Sequence, residues 1–153
     1  MKSYSSLFEE AQSSSVTVGS ETLYSMYELA VPPSDFTFEF VSYFADPVQG
    51  ISLDCTSEML INGENVTKAV LWTDTAPPVV SVQIHKTTNR KAPVLRFWNV
   101  WRVGTDTIQA WVGNSAMKIE STGQDSIIVR CSSGAGAPNF DSLVFRVSSS
   151  SDG

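Results

Sequence analysis

Apolar and polar residues alternate with a period of two along most of residues 16–147. That is the period of a strand, whose side chains point to opposite faces in turn. Turn-forming residues interrupt the alternation at intervals of about eight to twelve residues, the spacing of an antiparallel sandwich or barrel. Leu23, Tyr27, Leu29 and Val31 share a face, and Pro32-Pro33 ends their strand. Phe36, Phe38, Phe40 and Phe44 alternate with Asp35, Thr37, Glu39 and Tyr43, which predicts a half-buried strand with an aromatic inner face. Ile51, Leu53 and Cys55 mark a short strand. Met59-Leu60-Ile61 marks another that runs into Asn62-Gly63, a dipeptide favoured in two-residue hairpins. Val66, Lys68, Val70 and Trp72 form the next pattern, and Val80, Val82 and Ile84 follow Pro77-Pro78. Later strands are predicted around Met117 and Ile119, around Ile127, Val129 and Cys131, and around Leu143, Phe145 and Val147. One helical turn or two fits residues 6–12, where Leu7 and Phe8 can dock on a sheet edge. The expected fold is all-β, an antiparallel β-sandwich or jelly roll of about eight to ten strands with at most one short N-terminal helix. Residues 1–15 are expected to be a flexible linker carrying that helix, residues 16–147 one domain, and residues 148–153 a disordered tail.

Residues 91–112 hold Trp98, Trp101 and Trp111, three of the four tryptophans, and read as one hairpin. With Gly104-Thr105 as a two-residue loop, glycine supplies the positive φ needed at the first position of a type II′ turn. Val103 then faces Asp106, Trp101 faces Ile108, Asn99 faces Ala110 and Phe97 faces Val112. Alternation puts Leu95, Phe97, Trp101, Ile108 and Val112 on the core side. Arg96, Trp98, Val100 and Arg102 fall on the other side, with Thr107, Gln109 and Trp111 from the second strand. Trp98 stands opposite Trp111. Indole faces flanked by guanidinium and amide donors suit stacking on sugars, bases or another protein. The candidate binding residues are therefore Trp98, Trp111, Arg96, Arg102 and Gln109. The competing reading buries both indoles under a loop, the N-terminal segment or a second sheet.

Composition narrows the class. Charged residues make up 17% of the 153 residues, below the roughly 25% of an average soluble protein, and aromatic residues reach 10%. Serine and threonine fill many polar positions, as suits an all-β module displayed outside the cytosol or on a particle. A net charge of −6 argues against nucleic acid as the partner, because phosphate binding needs a concentrated basic surface. No apolar run is long enough to cross a bilayer, so no membrane insertion is expected. The serine-rich stretches at 13–15 and 148–151 resemble linkers and suggest a domain excised from a longer precursor.

No catalytic constellation emerges, and the chain is expected not to be an enzyme. His85 is the only histidine, at the end of a strand, and no Gly-x-Ser-x-Gly elbow occurs. One histidine and two distant cysteines supply no zinc ligand pair. Asp46, Asp54, Asp74, Asp106, Asp125 and Asp141 fall near strand ends, but no Asp-x-Asp run concentrates them for calcium. No metal or cofactor is predicted. Cys55 and Cys131 lie on apolar strand faces and read as two buried thiols, with a disulfide as the alternative. Lys86, Arg90 and Lys91 form a basic loop suited to an acidic glycan or partner, or simply to solvation. Asn65-Val66-Thr67 is a glycosylation sequon, relevant in a secreted protein.

The serine-rich entry at residues 12–15, the strand-only body and the exit at residues 148–153 after Phe145-Arg146-Val147 give the chain a general resemblance. In character it resembles the protruding (spike) domain of capsid proteins from small non-enveloped RNA viruses. That resemblance implies a virion-surface or extracellular attachment and assembly domain. Its partners would be a host receptor or glycan and neighbouring copies, with self-association as a dimer or trimer. A carbohydrate-binding module or lectin of jelly-roll form is the alternative, and a hydrolase is the third reading.

Overall fold

The structure, a computed structural model, describes residues 2–30, 35–85, 93–104, 107–123, 125–134 and 136–150. The described residues are mostly antiparallel β-sheet, 62% strand, with one short helix among them. After the helix α1 (Tyr4–Ala11) come β1 (Ser15–Val18), β2 (Glu21–Tyr24), β3 (Tyr27–Ala30), β4 (Asp35–Tyr43), β5 (Val48–Ile61) and β6 (Glu64–Trp72). They are followed by β7 (Val79–Ile84), β8 (Val94–Val103), β9 (Thr107–Gln109), β10 (Ala116–Ser121), β11 (Ser126–Ser132) and β12 (Leu143–Ser150). The strands join in one 12-stranded sheet in the order β1-β2-β10-β11-β12-β4-β7-β5-β8-β3, with β6 beside β5 and β9 beside β8. The all-β expectation holds, with twelve strands in place of eight to ten.

The sheet curls on itself as a half-barrel, and its core shows how far. Phe97 on β8 meets Phe38 on β4 edge-on at 6.1 Å and Phe145 on β12 edge-on at 5.7 Å. In the path of the sheet, β8 is separated from β4 by β7 and β5, so only curling brings these rings together. Edge-to-face geometry suits the quadrupoles of the rings, and burial of all three supplies much of the apolar area. Leu53, Ile51, Val82, Val129 and Leu143 complete the inner lining.

One strand turns the corner. Between the pairs Asp54–Lys68 and Met59–Val66, β5 carries four residues (Cys55, Thr56, Ser57, Glu58) where β6 carries one (Thr67). Such an excess bends the longer strand. The first part of β5 then pairs with β8 and its last part with β7. The two short strands predicted around Ile51 and Met59 are therefore one strand, read as two because polar Ser57 occupies an inward position between Cys55 and Met59 although the burial alternation continues through it. The reverse correction applies near the N-terminus: Leu23 and Tyr27 lie on separate strands, parted at Ser25-Met26. Val31 and Pro32-Pro33 lie outside the described residues.

The serine-rich end is also more ordered than expected. Ser148, Ser149 and Ser150 continue β12 against Thr37, Phe36 and Asp35 of β4, because ladder bonds come from the backbone and serine does not interrupt them. Residues 151–153 lie outside the described residues. Phe44 was expected inside but is 44% exposed, since an extra residue at Val41 shifts the register of β4 against β12 before the strand ends.

Ser3 caps α1, its Oγ accepting from Ser6 N at 3.3 Å, and Gln12 closes the helix with φ 50°. The helix start holds the 113–114 segment: Ser5 N donates to Gly113 O at 2.9 Å and Tyr4 N to Asn114 Oδ1 at 3.2 Å. Cys55 and Cys131 are both free and buried, and burial raises each thiol above its ordinary value, Cys131 the more.

Candidate functional site

Register fixes which side chains share the outer face of β3, β8, β5 and β6. Glu28, Arg96, Asp54 and Lys68 lie side by side across the four strands, with charges alternating. The next outward row is Trp98, Ser52 and Val70, and the next is Val100, Gly50 and Trp72. Ile108, Arg102 and Val48 form the last. The indole of Trp72 lies against Gly50, where a Cβ would meet a ring carbon at 2.6 Å. Only glycine admits the ring there.

Two of the cations on this face are already engaged. Arg96 Nε donates to Glu28 Oε1 at 2.8 Å. Arg102 places its guanidinium carbon 4.5 Å from the centre of the Trp72 ring and makes a two-pronged bond to Asp74, at 2.9 and 3.2 Å. The Arg102 hydrogen bonds hold the Asp74 carboxyl below its ordinary value. A lowered carboxyl binds fewer protons folded than unfolded. Its stabilising contribution is therefore present above the ordinary carboxylate value and fades as pH falls through the lower folded value. Acid titration of thermal stability should accordingly show a smaller loss below about pH 4 in Asp74→Asn than in the native protein. Identical acid profiles would show that the Arg102 pair contributes nothing.

The hairpin differs from its predicted register by one residue. Val103 pairs with Thr107, Arg102 with Ile108 and Trp101 with Gln109, so the loop has three residues, 104–106, in place of two. Gln109 therefore shares the face of Trp101 and leaves the candidate site. Ile108 moves to the outer face, where it is 52% exposed, and Val112 is also exposed instead of packing beneath Trp101. Trp101 keeps its predicted place in the core.

Trp98 and Trp111 do meet, by a different route. Pairing of β9 ends at Gln109, and Trp111 takes φ 59°, a left-handed conformation that breaks the alternation. Its ring comes to rest 4.9 Å from that of Trp98 with 33° between the planes. Trp111 Nε1 donates to Ser25 O at 2.8 Å, and the residue is 48% exposed while Trp98 is half-buried. The following turn is locked from behind. Gly113 has φ +57°, and a Cβ on Gly134 would meet Val112 O at 2.4 Å.

Beside Trp98 runs an open groove of about 340 Å³, lined by Ser52, Asp54, Lys68 and Val70 among others. These residues, with Trp72 and Asp74, were missed in the sequence. The outward parity of Lys68, Val70 and Trp72, together with a lone glycine in a strand at Gly50, was the available signal. Of the other candidates, Lys86, Arg90 and Lys91 lie outside the described residues. His85 Nε2 lies 2.8 Å from Asn65 Oδ1, so the sole histidine is paired with the sequon amide. Among the described residues, no three His, Cys, Asp or Glu side chains converge as metal ligands. No helix of the described residues is long and apolar enough to cross a membrane.

The chain matches no protein-family model, no curated protein sequence and no solved structure.

Proposed function

We propose that the protein is a non-enzymatic attachment module that binds its partner through the outer face carrying Trp98 and Trp111. The observation that carries this reading is a half-exposed indole on a segment pinned at several points. Trp111 stacks on Trp98, its ring nitrogen is satisfied by Ser25, and its segment is braced by Gly134 and the start of α1. Trp111 is not among the core residues, and nearly half of it remains open to solvent. Rigid aromatic anchors lose little conformational freedom on binding, and residues of this type concentrate binding energy. The net charge of −6 favours a neutral or cationic partner over nucleic acid.

In the setting suggested by the resemblance to capsid protruding domains, the face would meet a host receptor or glycan at a virion surface. Exposed Ile108 and Trp111 on this outer face support a second use of the same region, contact between neighbouring copies. Trp111→Ala tests both. It should change folding stability by no more than about 1 kcal/mol, a thermal shift of about 2–4 °C for a domain of this size, while abolishing binding to a glycan array or receptor-bearing cells and weakening self-association. Native-like binding and assembly by this variant would reject the face as the attachment surface.

A further inference from the structure

We propose that the groove beside Trp98 is a sugar subsite that takes a neutral pyranose, with its ring hydroxyls held between Asp54 and Lys68. This inference rests on the attachment reading of the same face and names its ligand class. The charge ladder across the strands supplies the argument. Of its four members, Arg96 and Glu28 are closed on each other at 2.8 Å. On the same face Arg102 and Asp74 are likewise closed on each other at 2.9 Å. Asp54 and Lys68 are direct cross-strand partners, yet among the described residues neither forms an ion pair. The carboxylate and ammonium left with bonding capacity are thus the two that line the groove.

An ionised carboxylate only accepts and an ammonium only donates. A pair of neighbouring ring hydroxyls satisfies both at once, since each hydroxyl donates and accepts. Ser52, directly across from Trp98, adds a third hydroxyl-compatible group. The Trp98 indole and the Val70 side chain supply the apolar walls. A pyranose with an unbroken axial C–H face matches that division, apolar on one side and hydroxylated at the rim. Because Asp54 and Lys68 cancel in charge, the groove offers no net attraction to a uronate, a sialate or an amino sugar, whereas a neutral ring can use the carboxylate and the ammonium together. The volume of about 340 Å³ lies at the lower end of small-molecule sites, room for one sugar ring of a longer chain.

The test is titration of the intact protein with cellobiose, lactose and 3′-sialyllactose, followed by tryptophan fluorescence and calorimetry. A neutral disaccharide should bind and perturb the fluorescence, and 3′-sialyllactose should bind more weakly than lactose. Asp54→Asn and Lys68→Met should each lower affinity at least tenfold with little change in the thermal midpoint, since Asp54 is half-buried on the outer face without an ion pair among the described residues and Lys68 is exposed. Failure of every neutral sugar to bind, or a preference for the sialylated one, would overturn the sugar assignment. If Trp111→Ala still abolished receptor or cell binding in that case, the attachment reading would stand with a non-sugar partner. Neutral-sugar binding that survives both Asp54→Asn and Lys68→Met would likewise overturn the placement in this groove.

Discussion

Trp101→Ala is expected to cost about 3–5 kcal/mol of folding stability, read as a lower urea midpoint at unchanged slope. The side chain is 3% exposed on the inner side of β8, directly across from Gln49 and Gln109. Its ring packs on the backbone of Gly134, where an added Cβ would lie 2.7 and 2.8 Å from two ring carbons. Truncation leaves a cavity between β5, β8 and the 132–134 segment, beside the buried Gln49, whose Oε1 has no hydrogen-bond partner among the described residues. Trp98→Ala removes a half-buried ring from the opposite face and should cost clearly less. The reverse order of the two variants would mean that inner and outer faces of β8 have been exchanged.

Gly134→Ala should destabilise by about 2–3 kcal/mol, near the upper end for overpacking. A methyl group there meets Val112 O at 2.4 Å and the Trp101 ring on its other side, and neither a main-chain carbonyl nor a buried indole yields easily. Because Val112 follows Trp111, relief on that side moves the proposed attachment face, so the variant should also change tryptophan fluorescence and lose binding. Gly136→Ala provides the control. That glycine has φ +71° but nothing within 4 Å of a Cβ, so only the left-handed backbone is penalised, by about 1–2 kcal/mol. Equal costs for the two variants, with binding intact in Gly134→Ala, would show that close packing at Gly134 does not position the site.

The alternation of Phe36 with Phe38, of Val80 with Val82 and of Leu95 with Phe97 made the strands and their inward residues legible, since burial on one face imposes a period of two. Positions where the chain abandons that period were not legible. A buried serine, Ser57, at an inward position of β5 splits one strand into two apparent ones. The three-residue loop at 104–106 is one residue longer than the type II′ turn that Gly104 suggested, and this slip carries Gln109 inward and Ile108 outward. Continued in the true register, the strand would have set Trp111 against Asn99, on the core side with Trp101. The left-handed turn at Trp111 reverses that and returns the indole to Trp98. The predicted neighbours are therefore neighbours for a reason that lies in one backbone angle, stabilised by Ser25 and Gly134, contacts remote in sequence. Asp54, Lys68 and Trp72 were read only within their own strands and not as part of the site, because a face shared by four strands cannot be assembled from one hairpin.

The hydrogen bond from Trp111 to Ser25 lies where the chain passes from β2, at one side of the sheet, to β3 at the other. Ser25 N also bonds back to Ser14 O, so this short crossing ties together the ends of the curled sheet. Contacts between segments so far apart in the chain carry a loop-closure cost and are slow to form. The place of the Trp111 indole beside Ser25 thus depends on the two sides of the sheet being brought together. A partner that recognises Trp111 selects the closed molecule alone, and by mass action its presence holds the seam shut.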